Sequence, residues 1–360
     1  MVNNKIVACL ALILTLLFAA CKKNDFKSLL AKITPKDTTK TVPRDTIPKD
    51  TIPKDTIPKY TANVYVGGTV FDSLANAYQA VYWKNQVPVV LTHIKKTASV
   101  NAITVQGNDV YAAGYVQDEN GNYIAAYWKN GVQVNLTDNT TSASTSGIAV
   151  QGNDVYVTGF FEFSAVYWKN GQMFVLQGVN GGGGSTEGMV IQGSDIYISG
   201  NTGGRPTFWK NFVPAALTNS HPGYAGNIAV QNGDVYVAAS YPNLNKAYVT
   251  YWKNSIPVTL GDGTIAILAT KLAVSGQDVY VACFTEKGGG YFKNDKLNFL
   301  SGSAADVYGI AVINNDVYIA GQSTYQKKSV PTVWKNSIPI YLSAPIGKSG
   351  YLSCIAVTPL

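Results

Sequence analysis

Nine carboxylates lie between the strand-like runs of this 360-residue chain: Asp72, Asp118, Glu119, Asp138, Glu162, Glu187, Asp262, Glu286 and Asp306. A facing pair of such groups would serve general acid and base in glycoside hydrolysis. No motif singles one out, so no catalytic residue is assigned. The two histidines, His93 and His221, are far apart, and no His/Cys/Asp cluster has metal-ligand spacing. Gly181-Gly182-Gly183-Gly184-Ser185-Thr186 lacks the lysine and following helix of a phosphate loop. Gly261-Asp262-Gly263 is too short for a calcium loop. These residues imply no metal and no cofactor. Aromatics recur instead among Ser, Thr, Asn and Gly: Tyr115, Phe160, Tyr224, Tyr241, Phe284, Tyr325 and Tyr351. Rings set among amides and hydroxyls suit contact with a glycan or a protein.

The elements that position these residues follow from a repeat. Gly147 to Leu176 holds four short apolar runs, IAVQ, VYVTG, SAVYW and MFVL. Their β-branched and aromatic content marks strands. Gly152-Asn153-Asp154 and Lys169-Asn170-Gly171 supply turns between them, the second with the Asn-Gly pair that a type I′ hairpin requires. Trp-Lys-Asn recurs at Trp83, Trp128, Trp168, Trp209, Trp252 and Trp334, with Phe292 in the remaining copy, at gaps of 40–45 residues. Asp-Val-Tyr marks the second strand at Asp109, Asp154, Asp234, Asp278 and Asp316, and Asp195-Ile196-Tyr197 is its variant. Four strands per period of about 40–45 residues predict an all-β fold, a propeller of four-stranded antiparallel blades.

The ends fix the blade count at seven. The first copy starts at Asn63-Val64-Tyr65 without an IAV strand, and the chain finishes on Cys354-Ile355-Ala356-Val357, an IAV strand with nothing after it. Together they make one blade and close the ring, which leaves no open sheet array.

Residues 60–360 are therefore one domain, and what precedes them is of another kind. Residues 1–20 combine Lys5 with an apolar run from Ile6 to Ala20, as a signal peptide does. Phe18-Ala19-Ala20-Cys21 resembles the lipobox of bacterial lipoproteins. That resemblance implies cleavage before Cys21 and lipid attachment to it, hence a membrane partner and an outer-membrane location on the periplasmic side or the cell surface. Residues 21–59 read as a tether, with DTIPK three times from Asp45 to Lys59. Proline at every fifth position favours an extended chain, which at about 3.1 Å per residue reaches on the order of 100 Å. Residues 1–59 hold 11 of the 28 Lys/Arg and 5 of the 21 Asp/Glu, so the propeller itself is nearly neutral. It has no footprint for nucleic acid.

Within the repeat, the Asp-Val-Tyr aspartates are expected to accept backbone hydrogen bonds in their own turns. A four-stranded meander puts them on the same face as the Trp-Lys-Asn lysines, so exposed ion pairs such as Lys129 with Asp109 are expected. The Trp and Tyr columns should pack between blades. Gly68, Gly114, Gly159, Gly200 and Gly321 should mark close backbone approach. Cys283 and Cys354 fall in different blades and should be free, buried thiols. The B–C and D–A connections vary in length and share the other face, where binding is expected.

The copies resemble the HAF-type repeats of bacterial extracellular propellers, through Gly147-Ile148, Val157-Thr158-Gly159 and Trp168-Lys169-Asn170-Gly171 with Leu176. Kelch and WD40 repeats are more distant, since tandem Gly-Gly and Trp-Asp ends are missing. The resemblance implies a secreted or surface propeller and carries no activity with it. The expected function is a lipid-anchored binding module for a glycan or an envelope or extracellular protein. A propeller hydrolase or lyase and a structural envelope lipoprotein are the alternatives.

Overall fold

Each copy of the repeat folds as one antiparallel sheet in the computed structural model, which describes residues 59–360 apart from 182, 218–223, 243–246, 262–265, 326–327 and 345–346. There are seven sheets of four strands, each a meander from an inner strand A to an outer strand D. Blade one is composite: Gly347–Thr358 supplies its strand A, and Asn63–Asp72, Ala77–Lys84 and Val87–Val90 supply B, C and D. Val64 lies opposite Val357 and Val66 opposite Ile355, so the two chain ends zip together as expected. The signal, the Cys21 anchor and the tether up to residue 58 lie outside the described residues.

The signature residues build the joints between blades. The tyrosine of each blade packs with the tryptophan of the next: Tyr65 with Trp128, Tyr111 with Trp168, Tyr156 with Trp209, and Tyr197 with Trp252. Tyr236 meets Phe292, Tyr280 meets Trp334, and Tyr318 meets Trp83, which returns the pattern to blade one. All six indoles are at most 1% exposed. Large flat rings let one residue pair fill each wedge, which is why the repeat needs them at these positions.

The glycines at the end of strand B face a β-bulge in strand A of the same blade. A Cβ on Gly114 would lie 1.8 Å from the Ser99 carbonyl, and one on Gly159 would lie 2.0 Å from that of Ser144. Close backbone approach therefore excludes a side chain at Gly114 and Gly159. Cys283 takes this position in blade six and Cys354 lies in the inner strand of blade one; both are free and buried. Burial pushes both thiols up to about 12.

Outer strands leave edges exposed. Pro88, Pro214, Pro257 and Pro339 each stand opposite an inward Trp, one residue past the turn pair. There the backbone N–H would face away from the sheet, so proline blunts the edge without breaking a ladder bond.

Candidate recognition face

The two faces differ in what their side chains are doing. On the face of the A–B and C–D turns, the asparagine of Trp-Lys-Asn holds a left-handed conformation in all seven blades, with φ of 49–52°. Its Oδ1 accepts the backbone N–H at the start of strand B: Val155 donates to Asn170 at 2.9 Å and Val64 to Asn85 at 2.8 Å. Its Nδ2 donates to the aspartate, as Asn170 does to Asp154 at 2.7 Å. The aspartate is thus no acceptor for its own turn, contrary to expectation. A backbone group is satisfied by the asparagine, and the aspartate orients that amide.

The lysine completes the set. Lys169 lies 2.8 Å from Asp154 and Lys129 lies 3.1 Å from Asp109, each with its ammonium over the tyrosine ring of the same blade. Lys169 and Asn170 hold the Asp154 carboxyl below its ordinary range; for Asp109, Asn130 leads and Lys129 follows. The predicted pairs are present in blades two to seven. One is not exposed: Lys335 and Asp316 are 9% and 21% accessible. The segment before blade one covers them, with the Lys59 carbonyl accepting from Lys335 and Thr61 bonded to Asp316. The chain therefore enters the propeller from the turn face.

The loop face is differently committed. Three of its carboxylates hold their own loops. Asp72 accepts the Leu74 N–H at 2.8 Å, Asp118 the Asn122 N–H at 2.8 Å, and Asp138 the Thr140 hydroxyl at 2.6 Å. Glu119 pairs with Lys96, Glu162 accepts from Thr141, and Asp306 accepts from Gln322. Glu286 is exposed. Asp262 and His221 lie outside the described residues, and His93 is exposed. No group of three His, Cys, Asp or Glu among the described residues is placed to hold a metal.

Glu187 differs from the expected loop position: it lies in the inner strand of blade four, at the bulge. Bulge residues of blades two and three stitch the inner strand to the next, Asn101 to the Thr145 carbonyl at 2.9 Å and Ser146 to the Thr186 hydroxyl at 2.7 Å. A carboxylate has no proton to donate in this row. Glu187 has no side-chain hydrogen bond among the described residues, while Lys271 from blade six reaches its backbone carbonyl at 3.3 Å. Desolvation raises the Glu187 pKa and the Lys271 charge opposes the rise.

The expected aromatics are distributed around the ring. Tyr224 is 49% exposed and Tyr325 is 40% exposed, its ring 4.6 Å from Tyr341. Tyr115, Phe160, Phe284 and Tyr351 are half-buried, each against a second ring: Tyr123, Phe163, Tyr308 and Tyr78. Tyr241 is in strand B of blade five, and its side chain lies outside the described residues. Sequence reasoning passed over Phe163, which is 75% exposed. It occupies a two-residue B–C turn of blade three, and a polar hollow of about 120 Å³ opens beside it between Ser164, Gln177, Gly178, Gly181 and Gly183. Its sequence carries no turn signal, because Glu162-Phe163 lacks the Asn or Gly that marks a two-residue turn.

No protein-family model matches the sequence, and no curated protein matches it. Solved structures are similar to it at low identity. A computationally designed protein, Ika8, is 13% identical over 84% of this chain and 94% of its own, with a TM-score of 0.47. A protein from Bacteroides uniformis described as a putative 6-phosphogluconolactonase is 14% identical over 83% of this chain and 100% of its own, with a TM-score of 0.49. AztD from Citrobacter koseri is 12% identical over 83% of this chain and 99% of its own, at 0.46.

Proposed function

We propose that this chain is a lipid-anchored, extracytoplasmic recognition module whose loop face binds a glycan. The observation that carries this is the asymmetry between the faces. On the turn face, the repeated Asn, Asp and Lys side chains bond one another, blade after blade. On the loop face Phe163, Tyr224 and Tyr325 expose ring surface among hydroxyl, amide and glycine positions. Variable loops on a rigid ring are suited to recognition, and amphipathic rings beside polar groups match a sugar, which has one C–H face and a rim of hydroxyls.

Entry of the chain at the turn face is compatible with this reading. Lys59 and Thr61 sit against Lys335 and Asp316, so the first described residues of the propeller leave the loop face clear. The membrane partner and the outer-membrane location belong to this proposal and rest on the Phe18 to Cys21 sequence.

Binding of the full-length protein in detergent micelles to a glycan array tests recognition. Metabolic acyl labelling of wild type and Cys21→Ser tests the anchor. Retention of one glycan class without turnover is expected. Turnover lost on replacing loop carboxylates would establish the enzyme instead, and capture of envelope proteins alone would replace the glycan with a protein.

A further inference from the structure

Blade three departs from its neighbours in a way that folding does not require. Its B–C turn holds Glu162 and Phe163 at φ of 45° and 66°, the left-handed region that side chains enter at a steric cost. Blade four closes the same two-residue turn with Gly203 and Gly204 at 56° and 75°. Side chains hold this conformation in other turns too, as at Phe212 with φ of 69°, but that ring stacks on Tyr167 at 4.1 Å, whereas the Phe163 ring is left largely exposed. The ring is 75% exposed and meets Phe160 edge to face, with centroids 6.2 Å apart. The Phe163 carbonyl accepts the Gly184 N–H at 3.1 Å, which fixes the turn against the glycine-rich loop.

The hollow beside it is polar and small. At about 120 Å³ it falls well short of the roughly 300–1,000 Å³ of sites that enclose a whole small molecule. It admits one substituent. Ser164 and Gln177 are among its lining residues, and neither side chain has a hydrogen-bond partner among the described residues. The rest of the wall is Ala165, Val175, Leu176 and three glycines, and at Gly183 a Cβ would lie 2.5 Å from the Phe163 carbonyl. A flat apolar ring bordered by a notch with uncommitted donors and acceptors matches the two sides of a pyranose.

We infer that Phe163 and this notch form a monosaccharide subsite. One pyranose lies with its C–H face on the Phe163 ring, and its hydroxymethyl or acetamido group enters the notch to hydrogen-bond Ser164 and Gln177. Exposed Glu162, the other residue of the same turn, selects neutral sugars and N-acetylhexosamines over hexuronates. The subsite rests on the glycan reading of the loop face.

The test uses full-length protein in detergent micelles against neutral-hexose, N-acetylhexosamine and hexuronate oligosaccharides. Phe163→Gly is expected to lose about tenfold or more in affinity while its Tm stays level or rises, because the turn strain is relieved. Phe163→Tyr keeps binding, and Gln177→Ala weakens it for the sugars whose substituent fills the notch. A Phe163→Gly protein that binds the same oligosaccharide within twofold of wild type places the sugar elsewhere and leaves the loop-face proposal standing. Preference for hexuronates overturns the subsite. A wild type that retains no oligosaccharide overturns both.

Discussion

An asparagine in the left-handed region usually signals a turn and nothing more, but here each one has three tasks. Asn170 takes φ of 50°, accepts the Val155 N–H and donates to Asp154. Two substitutions separate these tasks. Asn170→Gly keeps the backbone conformation and loses the side-chain bonds, so it should cost about 1 kcal/mol. Asn170→Ala adds the left-handed penalty and should cost about 2–3 kcal/mol; equal losses for the two in denaturant unfolding would remove φ from the account. Titration separates a second pair of residue types. The six aspartates have lowered pKa values, so their contribution is present above 3.8 and is lost as pH falls through their folded values. Glu187 is raised above 4.5, so its contribution is present below 4.5 and is lost as pH rises through its folded value. Wild type should therefore lose stability on the alkaline side of 4.5, and Glu187→Gln should abolish that slope and raise Tm at neutral pH. A Tm-against-pH curve unchanged by the substitution would leave the carboxylate solvated. The pairing of Asp with Lys was legible because strand order alone puts both columns on one face. The role of Asn170 was not, because its partner N–H lies across a hairpin that sequence spacing does not display. Glu187 was misplaced for a related reason: a bulge changes which residue of a strand turns inward, and no local pattern announces it.

Elements meet here through one repeated wedge, and its variations can be ranked. Trp209 donates its indole N–H to the Gln177 carbonyl at 2.8 Å, and Trp83 and Trp334 find the matching carbonyls of Ser343 and Ser301 at 3.0 and 2.9 Å. The indole nitrogens of Trp128 and Trp168 are buried without an acceptor among the described residues. Blade six has Phe292, so the wedge tolerates a ring with no donor. Trp168→Phe exchanges lost packing for relief of an unpaired donor and should change stability by less than about 1 kcal/mol. Trp209→Phe strands a carbonyl and should cost about 1–2 kcal/mol, read from denaturant midpoints. Equal costs would show that water reaches the Trp168 nitrogen. The wedge itself was readable from two aromatic columns one strand apart. Which indoles are paired was not, because the acceptors lie in D–A connections whose length varies. Phe163 escaped notice for the opposite reason, since a two-residue turn without Asn or Gly carries no turn signature.

At the scale of the whole ring, closure depends on one blade having two sources. Asn63–Asp72 pairs with Gly347–Thr358, and Asn63 Nδ2 reaches the Pro359 carbonyl at 2.9 Å. Both ends of the propeller are therefore adjacent, and a short linker from Leu360 to Tyr60 makes blade one continuous without displacing a strand. The position of the new break then isolates what strand sharing contributes. A break in the A–B turn of blade three, at Asn153, leaves that blade composite, with its inner strand at the opposite end of the chain from its other three. A break in the D–A connection between blades two and three makes every blade contiguous and leaves the ring joined there by side-chain contacts alone, the packing of Tyr111 with Trp168 and hydrogen bonds such as that of Asn101 to the Thr145 carbonyl. Pairing two strands from opposite ends makes opening the ring equivalent to breaking a sheet, whereas the contiguous form opens by parting two side-chain layers. The Asn153 permutant should keep close to the Tm of residues 60–360. The D–A permutant should fall about 5–10 °C below it, which for a domain of this size corresponds to roughly 2–3 kcal/mol. Two permutants with the same Tm would mean that the seven wedges close the circle unaided and that the shared blade fixes register alone.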